Sequence, residues 1–442
     1  MKKNIFIFDE NKCVGCHACV VACINENGFQ SPERWRNVLD SNPLNHPDLP
    51  LFYLSIACNH CDEAPCLKLC PALAFQSDPE TGAVDHDPER CIGCRYCMWV
   101  CPYDAPKFSP FSGIIEKCTF CAHRIEKGQK PACANLCPVG ALAFSREEFS
   151  MQDSFESSPV PISVGSSLKV IKKQNINGPR MDREILGLPK RTAPSVLKKS
   201  KISARSEWSL VCFSLFSAFM VGLYLSKTSV GNPGYFHWLI PGLGFSAAIL
   251  SLLHPGKRWR TWRAILNIER SWLSREILFF LLFLLTVSMD YFVYDLPHTV
   301  GIVNGILLLI SIDMLYLPAT WKWKFKLHSA QVLLIGISLW LLLAGFEILF
   351  ILMTLFRSGL YTFRRSQSGH SGKEGIYISL VRIWLPLVAI ILLIYYGKVI
   401  PVLILTLITD ILDRIVFYGD LRVPDLREEF DLSNEETRKM VV

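Results

Sequence analysis

Sixteen of the seventeen cysteines stand in four quartets within the first 137 residues: Cys13/Cys16/Cys19/Cys23, Cys58/Cys61/Cys66/Cys70, Cys91/Cys94/Cys97/Cys101 and Cys118/Cys121/Cys133/Cys137. The first and third quartets have the spacing C-x2-C-x2-C-x3-C, in which three close thiolates hold one iron-sulfur cluster and the fourth reaches a different one. Sixteen ligands at four per cluster imply four [4Fe-4S] clusters on one chain. A disulfide framework suits small secreted domains and leaves the recurring triplets unexplained. Zinc sites pair two C-x2-C knuckles, whereas this chain offers triplets. Cys70, Cys101 and Cys137 precede proline, as the distant ligand of such a run does, although Cys23 precedes isoleucine. The seventeenth thiol, Cys212, lies in an apolar run and reads as a small buried side chain.

Clusters of this kind require a reducing compartment for assembly and carry single electrons without making or breaking bonds in a substrate. Residues 1–150 have few long periodic runs and many turn formers, as in Asn25-Glu26-Asn27-Gly28 and Asp78-Pro79-Glu80-Thr81-Gly82. The clusters must therefore supply much of the core that side chains do not.

From Trp208 onward the composition changes. Apolar runs of membrane-spanning length recur at about 208–225, 235–253, 277–295, 299–317, 329–355, 377–396 and 399–418, which predicts seven spans, with eight acceptable. A mean hydropathy of +0.28 over a chain with one polar half fits an integral membrane protein better than buried soluble helices. Residues 151–207 read as a basic linker, with eleven Lys and Arg against three acidic residues between Pro161 and Glu207, and residues 421–442 as a polar tail. The opening Met1-Lys2-Lys3-Asn4, close before Cys13, carries no signature of a cleavable signal or a twin-arginine leader.

Loop charge bears on orientation. The linker, the loop with Lys257, Arg258, Arg260, Arg263, Arg270 and Arg275, and the loop with Lys322, Lys324 and Lys326 share one side if each earlier run crosses once; the positive-inside rule makes that side cytoplasmic. Arg357, Arg364, Arg365 and Lys373 would then face outward. Either way, the cysteine-rich domain and the 254–276 loop are expected on one face. That loop is the expected place for membrane chemistry: His254 closes the second run and Glu276 opens the third. A quinol gives up two protons with its two electrons, so its site needs a base at the membrane surface. The alternative is structural, with His254 capping a helix and Glu276 paired with Arg275 or another loop arginine.

Residues 9–144, with Cys-Val-Gly-Cys-His-Ala-Cys, Cys-Asn-His-Cys-Asp-Glu-Ala-Pro-Cys and Cys-Ile-Gly-Cys-Arg-Tyr-Cys-Met-Trp-Val-Cys-Pro-Tyr, resemble the four-cluster electron-transfer subunit of the dimethyl sulfoxide reductase family of molybdoenzymes. Residues 205–420 resemble the membrane anchor of the same family, through the His254 to Glu276 loop and the stretch Asp413-Arg414-Ile415-Val416-Phe417-Tyr418. In the family these are separate polypeptides, so the sequence resembles their fusion. The resemblance implies four ligand sets: Cys13, Cys16, Cys19 with Cys137; Cys23 with Cys118, Cys121 and Cys133; Cys58, Cys61, Cys66 with Cys101; and Cys91, Cys94, Cys97 with Cys70. It also implies that the first cluster faces a molybdopterin-containing catalytic subunit and the last faces the membrane. His254 and Glu276 correspond to the anchor residues implicated in menaquinol binding.

The expected architecture is an α+β bis-ferredoxin-like iron-sulfur domain (1–150), the basic linker (151–207), an all-α polytopic membrane helix bundle (208–420) and the polar tail. The expected function is a membrane-anchored electron conduit of anaerobic respiration in the prokaryotic cytoplasmic membrane. It would oxidise menaquinol and pass electrons through four clusters to a separate catalytic subunit. Its partners would be that subunit, membrane lipid and quinone, and not nucleic acid. A passive anchor is the alternative, or a proton-translocating module if Asp290, Asp313, Glu347, Arg382 and Asp410 form a connected chain.

Overall fold

The chain divides into two units, Met1–Lys199 with Pro424–Val442, and Ser200–Val423. The structure, a computed structural model, describes residues 2–28, 34–41, 51–157, 164–172, 202–230, 234, 236–293, 296–320, 323, 325–368, 373–397 and 399–421. Most of the expected linker, Lys322, Lys324 and the polar tail from 422 onward lie outside them.

In chain order the first unit runs β1 (Lys2–Asp9), α1 (Ala18–Asn27), β2 (Asn37–Asp40), β3 (Tyr53–Ile56), α2 (Pro65–Lys68), β4 (Phe75–Ser77), β5 (Val84–His86), α3 (Tyr96–Val100), β6 (Lys107–Ser109), β7 (Ile114–Glu116), α4 (Ala122–Ile125), α5 (Ala132–Asn135), β8 (Leu142–Glu148), α6 (Met151–Ser157) and β9 (Leu168–Ile171). β1 is the centre of a three-stranded sheet, antiparallel to β8 and parallel to β9, with Phe6 opposite both Phe144 and Leu168. Its Ile5 and Phe8 are fully buried. The remaining strands form three small antiparallel hairpins, β2-β3, β4-β5 and β6-β7. The turn former Asp78-Pro79-Glu80-Thr81-Gly82 joins β4 to β5: the Asp78 carboxylate accepts the Glu80 N–H, and Gly82 supplies a φ of +72°. Such short elements cannot enclose a conventional core, and cysteines take the vacant places. Cys19, Cys58, Cys101, Cys118 and Cys133 pack among Phe6, Phe8, Leu54, Ile56, Phe120 and Leu142.

The second unit is helical: α7 (Trp208–Val230), α8 (Phe236–Leu253), α9 (Trp272–Phe292), α10 (His298–Leu315), α11 (Val332–Leu343), α12 (Glu347–Ser368), α13 (Lys373–Tyr396) and α14 (Val399–Asp420), with 3-10 segments at Arg258–Ile265 and Leu317–Thr320. Among the described residues five of these helices, α7, α8, α9, α10 and α13, are long and apolar enough to cross a membrane. The single run expected at 329–355 is two helices, α11 and α12. The chain leaves α11 through Gly345 at φ +78°, a conformation that a residue with a side chain rarely adopts. The run's continuous hydropathy concealed this break. Large apolar side chains point outward along several helices, including Phe245, Leu352, Trp384, Ile391 and Ile394, each more than half exposed. Water solvates such faces poorly and lipid solvates them well.

Polar groups inside this unit are paired in small sets. Lys227 of α7 meets Asp290 of α9 at 2.9 Å. The Asp313 carboxylate accepts the N–H groups of Val332 and Leu333, so it caps the start of α11 from α10. Arg357 and Arg364 of α12, expected as loop charges, are buried. Arg357 pairs with Asp410, Arg364 with Asp413 and Asp420, and Arg365 with Asp420. Arg382 of α13 also reaches Asp413, at 2.9 Å.

Candidate functional site

Two cysteine motifs share one backbone trace. In Cys13-Val14-Gly15-Cys16-His17 and Cys91-Ile92-Gly93-Cys94-Arg95, the glycine and the residue after the second cysteine both have positive φ: Gly15 +68° and His17 +59°, Gly93 +71° and Arg95 +61°. The loop thus curls its thiols inward before α1 and α3 begin. A Cβ on Gly15 would also fall 2.5 Å from the Tyr53 ring. The distant cysteines repeat in a second way. Three residues after Cys70, Cys101 and Cys137 comes a left-handed residue, Leu73, Asp104 or Gly140. The chain then turns back so that the N–H of Ala74, Ala105 or Leu142 donates to the preceding sulfur at 3.3–3.5 Å.

All seventeen cysteines are free thiols, which removes the disulfide framework. The thiols gather mostly by threes within a motif, joined by one from another motif. Cys13 feels the charges of Cys19, Cys137 and Cys16. Cys23 feels Cys133 and Cys121, and Cys118 feels Cys23 and Cys133. Cys61 feels Cys58, Cys101 and Cys66, and these four line one cavity with Asn59, Pro65, Val84 and Tyr103. Cys97 feels Cys94, Cys70 and Cys91. The sets also adjoin in a line: Cys23 feels Cys19 of one neighbouring set, Cys118 feels Cys58 of the other, and Cys97 feels Cys66.

Burial pushes the thiols of Cys61, Cys66, Cys94, Cys97 and Cys118 well above the ordinary range, that of Cys23 to about 12 and that of Cys101 to about 11. Thiols this reluctant to ionise towards water are stable as anions when iron replaces the proton. Four thiols to a set is the donor number that a [4Fe-4S] cluster takes, so the residues present fit iron-sulfur clusters.

Two buried cations lie among the sets, and sequence reasoning missed both. Arg36 is 2 % exposed; it donates to Ser55 Oγ at 3.1 Å, and Ser55 Oγ is 3.3 Å from Cys19 Sγ. Its guanidinium also lies over the Phe6 ring. Lys117, 3 % exposed, donates to the carbonyls of Val84 and Cys118. His60 next to them is not a third cation: its Nδ1 accepts the Val84 N–H at 3.0 Å, and burial, Lys117 and Arg36 depress its protonation. No spacing rule marks a lone Arg or Lys as interior, so only the fold reveals them.

In the second unit Glu276 is buried and His254 is partly buried. His254 Nδ1 lies 3.1 Å from Oε2 of Glu207, itself 3 % exposed at the start of α7. Glu276, 3 % exposed, does not pair with Arg275, which donates to the Ile268 and Glu269 carbonyls and stacks on Trp272. Among the described residues Glu276 Oε2 has no hydrogen-bond partner, and the cation whose charge it feels is Arg414. Tyr316 joins these groups. It shares a phenol-phenol hydrogen bond with Tyr418 and feels Arg414, Glu276 and Glu207. Glu207 was legible only as an acidic residue just before the first apolar run, and Tyr316 and Tyr418 as aromatics at helix ends. The five residues considered for a proton chain separate: Asp290 pairs with Lys227, Asp313 caps α11 and Glu347 is exposed, whereas Arg382 and Asp410 belong to the buried network of α12–α14.

Residues 49–147 match the 4Fe-4S dicluster domain family. Three relatives extend the likeness. The thiosulfate reductase electron transfer subunit of Salmonella typhi is 40 % identical over 154 residues, 32 % of this chain and 75 % of the relative. A chain of the anaerobic dimethyl sulfoxide reductase of Escherichia coli (strain K12) is 37 % identical over 147 residues, 31 % of this chain and 71 % of the relative. A subunit of the sulfite dehydrogenase of Allochromatium vinosum is 34 % identical over 165 residues, 33 % of this chain and 69 % of the relative. Through its N-terminal domain the chain belongs to the family of iron-sulfur electron-transfer subunits that includes those of the dimethyl sulfoxide and thiosulfate reductases.

Proposed function

We propose that the chain is a membrane-anchored electron conduit. Menaquinol is oxidised in the helical unit, and electrons pass singly through four [4Fe-4S] clusters to a separate molybdopterin-containing subunit that performs the terminal reduction. The observation that carries this reading is the exchange of cysteines between motifs into four adjoining sets, Cys13/Cys16/Cys19/Cys137, Cys23/Cys118/Cys121/Cys133, Cys58/Cys61/Cys66/Cys101 and Cys70/Cys91/Cys94/Cys97. When bound, the clusters supply reversible one-electron storage; the chain's part is to hold them in line and exclude water.

At the quinol end, His254 and Glu276 accept the two protons. Glu207, whose Oε2 lies 3.1 Å from the imidazole Nδ1, positions the ring. The buried arginines of α12 are internal pairs and drop out of the loop-charge comparison. The basic 257–275 loop then favours the cytoplasmic side for its face.

A serial carrier fails at any missing member. Cys94→Ser should alter or remove the fourth cluster and abolish quinol-dependent reduction of the partner subunit, while an artificial donor that reaches that subunit directly still reduces it. Undiminished quinol-dependent turnover in a variant shown by spectroscopy to lack the cluster would contradict the conduit.

A further inference from the structure

Two of the three junctions in the line of cysteine sets contain a buried cation. Arg36 feels Cys133 and Cys118, then Cys19 and Cys23, so it faces the first and second sets together. Lys117 feels Cys58, Cys66 and Cys118, and after them the exposed Asp85, so it faces the second and third. Hydrogen bonds place them independently. Arg36 reaches Cys19 Sγ through Ser55, and Lys117 bonds the carbonyl of the ligand residue Cys118 and that of Val84, which lines the cavity of the third set. A cation removed from water must be compensated nearby, and here the thiolate sets are the groups foremost in place to do so. The charges that Cys70, Cys94 and Cys97 of the fourth set feel foremost are those of other thiols.

Resting on the four-cluster reading, we infer that Arg36 and Lys117 are fixed electrostatic tuners that raise the reduction potentials of the first three clusters above that of the fourth. A four-iron cluster with four thiolates carries net negative charge, and accepting one electron adds one more unit. A buried cation therefore stabilises the reduced form more than the oxidised form, and the effect is large where little water screens it. The second set, facing both cations, is raised most; the first and third each face one. An electron entering at the fourth cluster then finds a more favourable site at the third and a more favourable one again at the second, which favours flow away from the membrane end as far as the second cluster.

The test is an anaerobic redox titration of the full-length protein followed by low-temperature electron paramagnetic resonance, with iron and sulfide measured on the same samples. Arg36→Gln should shift two of the four midpoint potentials to more negative values, and Lys117→Gln should shift two. One signal should respond to both variants and one, from the fourth set, to neither. Arg36→Lys should restore the wild-type potentials. Wild-type potentials in fully loaded Gln variants would overturn the inference, as would equal shifts in all four signals. If Arg36→Gln loses iron while Arg36→Lys loads fully, the site needs the charge and the inference stands; loss in both marks Arg36 as packing and counts against it. Wild-type protein without about four clusters would instead sink the underlying reading.

Discussion

Glu207 and Glu276, both buried, and the partly buried His254 are three polar residues at the ends of apolar helices, the kind of position that is costly unless it is used. The structure removes the simplest bland account of Glu276, because Arg275 is committed to backbone carbonyls. His254→Ala and Glu276→Gln should each impair quinol oxidation without changing the amount of protein in the membrane or its iron content. Loss of one charge-assisted hydrogen bond costs about 1.5–3 kcal/mol, which is roughly tenfold or more in binding or rate. Steady-state quinol kinetics and binding of a quinol analogue are the measurements, and wild-type values in both would remove these residues from the site. Glu207→Gln belongs to the same series. Its effect should vanish in a His254→Ala background, since a group that acts through the imidazole has nothing to orient once the ring is gone.

At the scale of elements, α12, α13 and α14 are joined by charge. Asp413, fully buried on α14, is shared by Arg364 of α12 and Arg382 of α13, while Asp410 holds Arg357. Asp413→Asn would leave two buried guanidinium groups short of their anion, and breaking a buried pair in this way costs about 3–5 kcal/mol. The expected result is a strong drop in membrane accumulation and early proteolysis within α12–α14. Normal accumulation would mean that the network carries little of the packing. These charges also explain why the sequence misjudged this region. Apolar runs marked α7 to α10 and α13 within a few residues, because hydropathy alone marks a helix long and apolar enough to cross a membrane. It did not distinguish α11 from α12, where the only local sign is Gly345, and it took Arg357 and Arg364 for loop charges because their partners lie more than 45 residues along the chain. In the first unit the cysteine spacing announced the chemistry, whereas the three-stranded sheet pairs β1 at the start of the chain with β8 and β9 far along it, a pairing that no local period reveals.

For the whole molecule, two physically different units divide the work. One buries thiols among short strands and turns so that metal can complete its core, and the other buries a few charged and aromatic groups within helices whose outer faces are apolar. The sixteen cysteines stand out by spacing, because ligands to one cluster lie close in sequence or in a fixed relation to it; Arg36, Lys117 and Glu207 do not, because nothing local distinguishes them from surface charges. The central claim is that the chain holds four four-iron clusters. The most direct test is the iron and acid-labile sulfide content of anaerobically purified full-length protein. Both should be about sixteen per chain, four for each cluster, with little zinc. Stoichiometric zinc without sulfide, or iron and sulfide near eight, would contradict it.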